Sequence, residues 1–210
     1  MPMPMPMPRM IRIAAVIGAA IAVTAAPVAA EATSPATPAA QAARVSGAAQ
    51  VRLTYWPDQD IRAFTFDARA VPYSVPRPGA PGGLPTDARG TVTIYHHSPT
   101  EGWTVRSEAR VDCLLTSPGN ATLTAVVTKA DEPIKDQIGK RLGFSVHDGG
   151  PGGRHDRMGF SWSVVNGVEN GEGGWEEGKV GTCMGPAAFA PVTKGNYTVR
   201  HADLLPAPTD

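Results

Sequence analysis

His147-Asp148 and His155-Asp156 stand at the two ends of a glycine-rich run, Gly149-Gly150-Pro151-Gly152-Gly153. If that run is a hairpin loop, its ends meet. Two carboxylates with backbone carbonyls would then suit calcium, and imidazole with carboxylate would suit zinc. These four residues are the candidate metal ligands, and calcium or zinc is the only cofactor the sequence suggests. Their spacing matches neither an EF-hand loop nor a zinc motif, and Asp and Gly are also what tight turns require. Cys113 and Cys183, both in the mature part, are expected to pair as a structural disulfide. Trp175 lies in an acidic, glycine-rich loop, Glu169 to Gly178, where an exposed indole could contact a partner.

Other candidates carry less. His96 and His97 are adjacent on a strand pattern, so they point to opposite faces and at most one can join a common site. Glu108 and Asp112 share a face, about 13 Å apart, too far for a glycosidase pair, with Arg106 and Arg110 between and beside them. Ser117 and Ser161 lack the Gly-x-Ser-x-Gly setting of a nucleophile elbow. No catalytic residue is assigned.

The elements that would position these residues are strands. Trp103 to Cys113 alternates most clearly, with Val105, Ala109, Val111 and Cys113 on one face and charged residues on the other. That is an antiparallel strand with one wet side, and it places Cys113 on the apolar face. Val51 to Trp56 reads as the first strand, followed by Arg62 to Ala70, Gly90 to His97 and Ala121 to Lys129. Later strands centre on Phe144, Phe160-Trp162-Val164, Val180 to Met184, and Tyr197 to Leu204. Pro72 to Pro85 reads as a loop, and Asp131 to Lys140 as a short helical turn. Trp56, Trp103 and Trp162 fall within strand patterns and are expected in the core. The fold class is all-β: an antiparallel sandwich or barrel of about eight to nine strands with long Gly/Pro loops.

The run Gly143-Phe144-Ser145-Val146-His147-Asp148-Gly149-Gly150, with Asp156-Arg157 and Phe160-Ser161-Trp162, resembles secreted proteins of high-GC Gram-positive bacteria that carry the label "repetin". Leu84 to Gly90 and Val111 to Leu114 share that likeness, which spans most of residues 51–205. Residues 89–165 are also similar to a β-rich bacterial extracellular module of the post-COAP type. The resemblance implies an extracellular β domain and brings no catalytic assignment. His155 and the acidic loop depart from it.

The amino-terminal residues supply the compartment. A basic patch at Arg9 to Arg12, an uncharged run from Ile13 to Val23, and small residues to Ala30 form a cleavable signal over 1–30. Residues 31–48 are mostly Ala, Pro, Thr and Ser and read as a disordered linker; 49–206 form one β-rich domain and 207–210 a tail. Without Arg9 and Arg12, the basic residues number slightly fewer than the 19 acidic ones. That balance argues against nucleic acid as a partner, and no span is expected after signal removal. The expected protein is a secreted monomer that binds an extracellular protein, polymer or ion through its loops without catalysis. The alternative is a secreted hydrolase with a metal-assisted site at His147–Asp156.

Overall fold

The computed structural model of the protein describes residues 42–209. The signal and most of the linker lie outside them. Eight antiparallel strands close into a barrel. In chain order they are β1 (Arg44–Val51), β2 (Ile61–Ala70), β3 (Ala88–Ser98), β4 (Trp103–Ser117), β5 (Asn120–Ala130), β6 (Arg141–His147), β7 (Arg157–Phe160) and, after a small hairpin of β8 (Gly167–Glu169) and β9 (Trp175–Glu177), β10 (Ala190–Arg200). Each barrel strand pairs with the next, and β10 closes the ring on β1 from Arg44↔Arg200 to Val51↔Val192. The architecture is an up-and-down barrel, so the choice between sandwich and barrel resolves to the barrel.

Alternation explains the interior. Val45, Phe66, Val92, Val111, Leu123, Phe144, Val146 and Tyr197 are buried, and their strand neighbours face outward. Phe66 meets Phe144 at 5.6 Å and Tyr197 at 5.3 Å between ring centroids, filling the middle of the barrel. Burial, together with the charge of Asp156, pushes the Tyr197 phenol far above its usual value.

Three sequence expectations need correction. The first strand is β1, not Val51 to Trp56, so residues 44–48 belong to the barrel and not to a linker. An Ala/Gly/Ser strand is weak by propensity; pairing on both sides, to β2 and β10, holds it. Cys113 is fully buried but points out of the barrel. Asp112 is an extra residue in β4, between the pairs Val111↔Ala125 and Cys113↔Thr124, and this bulge switches the face. Val180 to Met184 is no strand. It belongs to an extended strap, residues 178–189, that crosses the outside of β6 and β7.

The strap lies on the strands because two glycines allow it. A Cβ on Gly143 would sit 2.0 Å from the Met184 carbonyl oxygen, and one on Gly159 would sit 2.2 Å from that of Ala187. The Cys183 amide donates to Thr124 Oγ1 at 3.2 Å, Ser145 Oγ donates to the Pro186 carbonyl, and the Cys113–Cys183 disulfide anchors the strap to β4. Cys113 is thus buried beneath the strap and outside the core, and Cys183, in the strap itself, is half-buried.

Two buried carboxylates organise the far end of the barrel. Asp87 accepts the amides of Ser74, Val75 and Leu84 and the Arg77 guanidinium, which pins the loop of residues 71–87. Burial pushes its carboxyl up, but the amides of Leu84 and Val75, the Arg77 charge and the Ser74 amide outweigh it, and the net shift is downward. Asp156 accepts the Gly149 amide at 2.9 Å and the Tyr197 amide at 2.7 Å, tying the glycine-rich loop to β10.

Two measurements check this account. The Cys113→Ser/Cys183→Ser double variant is expected to lose about 2–4 kcal/mol of stability. Amide exchange should rise first in residues 178–189, while the glycine-rich loop keeps its protection. For Asp87, a folded value below the unfolded one means stability that is present above the unfolded value. That stability is lost as pH falls through the folded value. Acid titration from about pH 5 downward should therefore release the loop of residues 71–87, and Asp87→Asn should remove that acid-dependent step.

Candidate functional site

The connections 52–60, 99–102, 131–140 and 161–189 all lie at one end of the barrel, here called the mouth. Up-and-down topology puts them there, and with them come all four tryptophans: Trp56, Trp103, Trp162 and Trp175. The core expectation is corrected for Trp56 and Trp103, while Trp162 is half-buried and packs against the core. None is among the buried core residues, and Trp56 and Trp103 are exposed. An eight-stranded ring is just wide enough for its own side chains, so the largest ones sit at the rim.

A file of aromatic rings runs from the core to the mouth. Phe64 meets Phe144 at 6.3 Å and Phe160 at 5.1 Å; Phe160 meets Trp162 at 6.2 Å and Phe189 at 5.5 Å. Tyr55 closes the outer end against Trp162 and Phe189. Between these rings and the facing strands lies a hollow of about 300 Å³, walled by Phe64, Ile94, Leu142, Phe144, Phe160 and Trp162, with Arg62, His96, Lys140 and Glu177 among its polar groups. A second hollow of about 450 Å³ shares Ile94, His96 and Gln137 with it and continues between Trp103 and the short 3₁₀ turn at Glu132–Gln137.

The polar groups have defined partners. Arg62 donates to both oxygens of Asp58, at 2.9 and 2.6 Å, and to Asp60 at 3.1 Å. His96 Nε2 lies 2.7 Å from Asp60, and the Trp103 ring packs edge-on against the imidazole at 4.7 Å. The Arg62 hydrogen bonds hold the Asp58 carboxyl below its usual value, against a smaller opposing effect of burial. Glu177 stands on the rim. Partial burial of the carboxyl pushes it up, and the Ser161 hydroxyl and Lys140 charge only partly offset this. Trp162 Nε1 is buried without a hydrogen-bond partner, the one such side-chain atom among the described residues. A donor left unpaired costs about 1–3 kcal/mol, so it marks a place the fold does not satisfy by itself.

The residues singled out from sequence fare differently. His147 bonds Asn120, and Asp148 accepts the amides of Gly150 and Val199. With Asp156 spent on Gly149 and Tyr197, both carboxylates serve the loop and β10. His155 is exposed. Among the described residues no group of three or more His, Cys, Asp or Glu could hold a metal ion, so the four do not assemble as a ligand set. Trp175 reaches the mouth on β9; its indole donates to the Ser163 carbonyl at 2.7 Å and stays 62% exposed. Glu108 pairs with Lys129, and Asp112 with Arg141 and Thr124, on the outer wall.

Sequence reasoning missed Arg62, His96, Asp58, Asp60, Trp162 and Glu177 as a group. A signal existed for two of them. Arg62 shares the phase of Phe64 and Phe66, and His96 that of Val92 and Ile94, so both had to face inward.

Trp162→Phe is expected to change stability by less than about 1 kcal/mol, because loss of packed ring area is offset by removal of the unpaired donor; urea unfolding measures this. No protein-family model, curated protein or solved structure matches this chain, so the reading of the site rests on its geometry.

Proposed function

We propose that the domain is a non-catalytic extracellular binding protein that seats a small, flat, largely apolar molecule in the barrel mouth. The observation that carries this reading is the gathering of all four tryptophans at one end, with the Phe160–Trp162 wall leading into the hollow. Concave, mainly apolar sites with a few convergent polar groups are the usual form of small-molecule pockets. The unpaired Trp162 Nε1 offers a hydrogen bond to an acceptor on the ligand. The Arg62–Asp58–Asp60–His96 cluster gives one wall a fixed polar edge.

The disulfide supports placement outside the cell, as does the amino-terminal export pattern. No helix among the described residues is long and apolar enough to cross a membrane. The opposite end of the barrel has a larger hollow, about 610 Å³, but its walls are mostly Ala, Pro and Leu beside the segment after β10. It offers no aromatic platform.

A neutral, flat fluorophore such as N-phenylnaphthylamine tests the proposal. Saturable binding with a Kd on the order of micromolar is expected. Ile94→Trp, which fills the mouth, should weaken binding at least ~10-fold, equivalent to about 1.4 kcal/mol. Ala202→Trp, in the opposite hollow, should leave it unchanged. Absence of saturable binding, or greater sensitivity to Ala202→Trp, would overturn the assignment.

A further inference from the structure

The outer wall of the barrel carries a row of four arginines in register. Arg200 on β10 is directly opposite Arg44 on β1, Arg44 is opposite Arg69 on β2, and Arg69 is opposite Arg89 on β3. Their neighbours Val45, Ala68 and Ala88 are buried in the barrel, so all four arginine side chains face solvent, and all four are exposed. Adjacent strands are 4.7–4.9 Å apart, which makes the row about 14 Å long. Like charges directly opposite each other destabilise a sheet. A chain of zero formal net charge has no general need for such a row. Only Arg44 has a carboxylate partner among the described residues, Asp67 at 2.9 Å, and that pair is open to water. Neither the mouth nor the disulfide accounts for the row.

The surface beside the row narrows the class of partner. The next outward positions along the same strands are Thr198, Ser46, Asp67 and Thr91, and the row after that includes Asn196, Thr65 and Thr93. Hydroxyls and an amide, with a single acid, thus continue the cationic edge. The one apolar side chain in these rows is the methyl of Ala48, too small to insert among lipid chains. The wall also lacks the free aromatic platforms on which single-stranded nucleic acid stacks: of its outward rings, Tyr95 is covered by Arg106 at 5.3 Å and the His97 imidazole is bonded to the Trp103 carbonyl and the Thr104 hydroxyl. Guanidinium forks take carboxylates in bidentate pairs, and hydroxyl-rich side chains exchange hydrogen bonds with sugar hydroxyls.

We propose that the β10–β1–β2–β3 wall is a docking surface for an acidic polysaccharide, with Arg200, Arg44, Arg69 and Arg89 pairing successive carboxylates along it. This surface is separate from the mouth, and its use does not depend on what the mouth binds.

Binding of the intact domain to immobilised polygalacturonate tests it. Retention is expected at low ionic strength and release at about 1 M salt, where the Debye length is only about 3 Å. Each single Arg→Gln change in the row should weaken binding several-fold, and the quadruple change should weaken it at least 30-fold. The quadruple variant should melt no lower than the parent, because it removes repulsion. Asp67→Asn gives an independent check of opposite sign: it should tighten binding at least twofold. The proposal is overturned if polygalacturonate is not retained, if the quadruple variant binds as the parent does, or if Asp67→Asn fails to strengthen binding. It is also overturned if anionic phospholipid vesicles or inorganic polyphosphate bind more tightly than the polysaccharide.

Discussion

An eight-stranded ring encloses a narrow space, and its width dictates where every large side chain can go. The interior accepts Ala, Val, Leu and a few phenylalanines, with Tyr197 as the largest side chain it buries completely. Tryptophan is excluded. Each Trp therefore sits at an end, and the connections send all four to the same end. The candidate site gathers these indoles above a core whose own rings are phenylalanine and tyrosine. Strand alternation adds the polar edge, since Arg62 and His96 occupy inward positions beyond the last apolar layer.

The fold uses buried carboxylates to fix loops that have little apolar surface of their own. Asp87 and Asp156 each gather backbone amides that would otherwise lie unpaired in a buried place. The glycine-rich loop is therefore rigid at its base. Asp148 and Asp156, the two acids that suggested a metal site from sequence, are likewise engaged by backbone amides, and the strap repeats the pattern with neutral groups, Thr124 and Ser145.

Much of the barrel was legible in the sequence. The strands β2 to β5 follow from period-two alternation of inward apolar and outward polar residues, and β6 from Leu142, Phe144 and Val146 in phase, although its outer face is covered by the strap. β1 was not legible, since Ala48, Ala49 and Gly47 carry no strand preference and gain their order only from two partners. The bulge at Asp112 was invisible for a related reason. A single inserted residue leaves both flanking segments alternating, and only the partner strand reveals the change of phase. The pairing of Cys113 with Cys183 followed from compartment and count, whereas the burial of Cys113 under an external strap that carries Cys183 depended on backbone contacts at Gly143 and Gly159. The mouth was half legible. Its inward charges were readable from phase, but the convergence of separate loops on one end required the topology.

The ring is closed unevenly. β7 has four residues and meets β10 through two residue pairs, Met158↔Ala190 and Arg157↔Pro191, while β1 meets β10 through eight. Pro191 offers no backbone donor to this seam. The Arg157 side chain, bonded to the carbonyls of Ala188 and Phe189, and the Val192 amide, bonded to the Asp156 carbonyl, reinforce it. A barrel avoids strand-by-strand aggregation because it has no edges, and that protection ends wherever the ring parts. Opening here would bare the long edge of β10 as a template for another copy of the chain. The separation of one copy of the chain from the next thus rests on a seam only two residue pairs long, with Arg157 on one side of it and the Asp148 and Asp156 carboxylates holding β10 amides on the other.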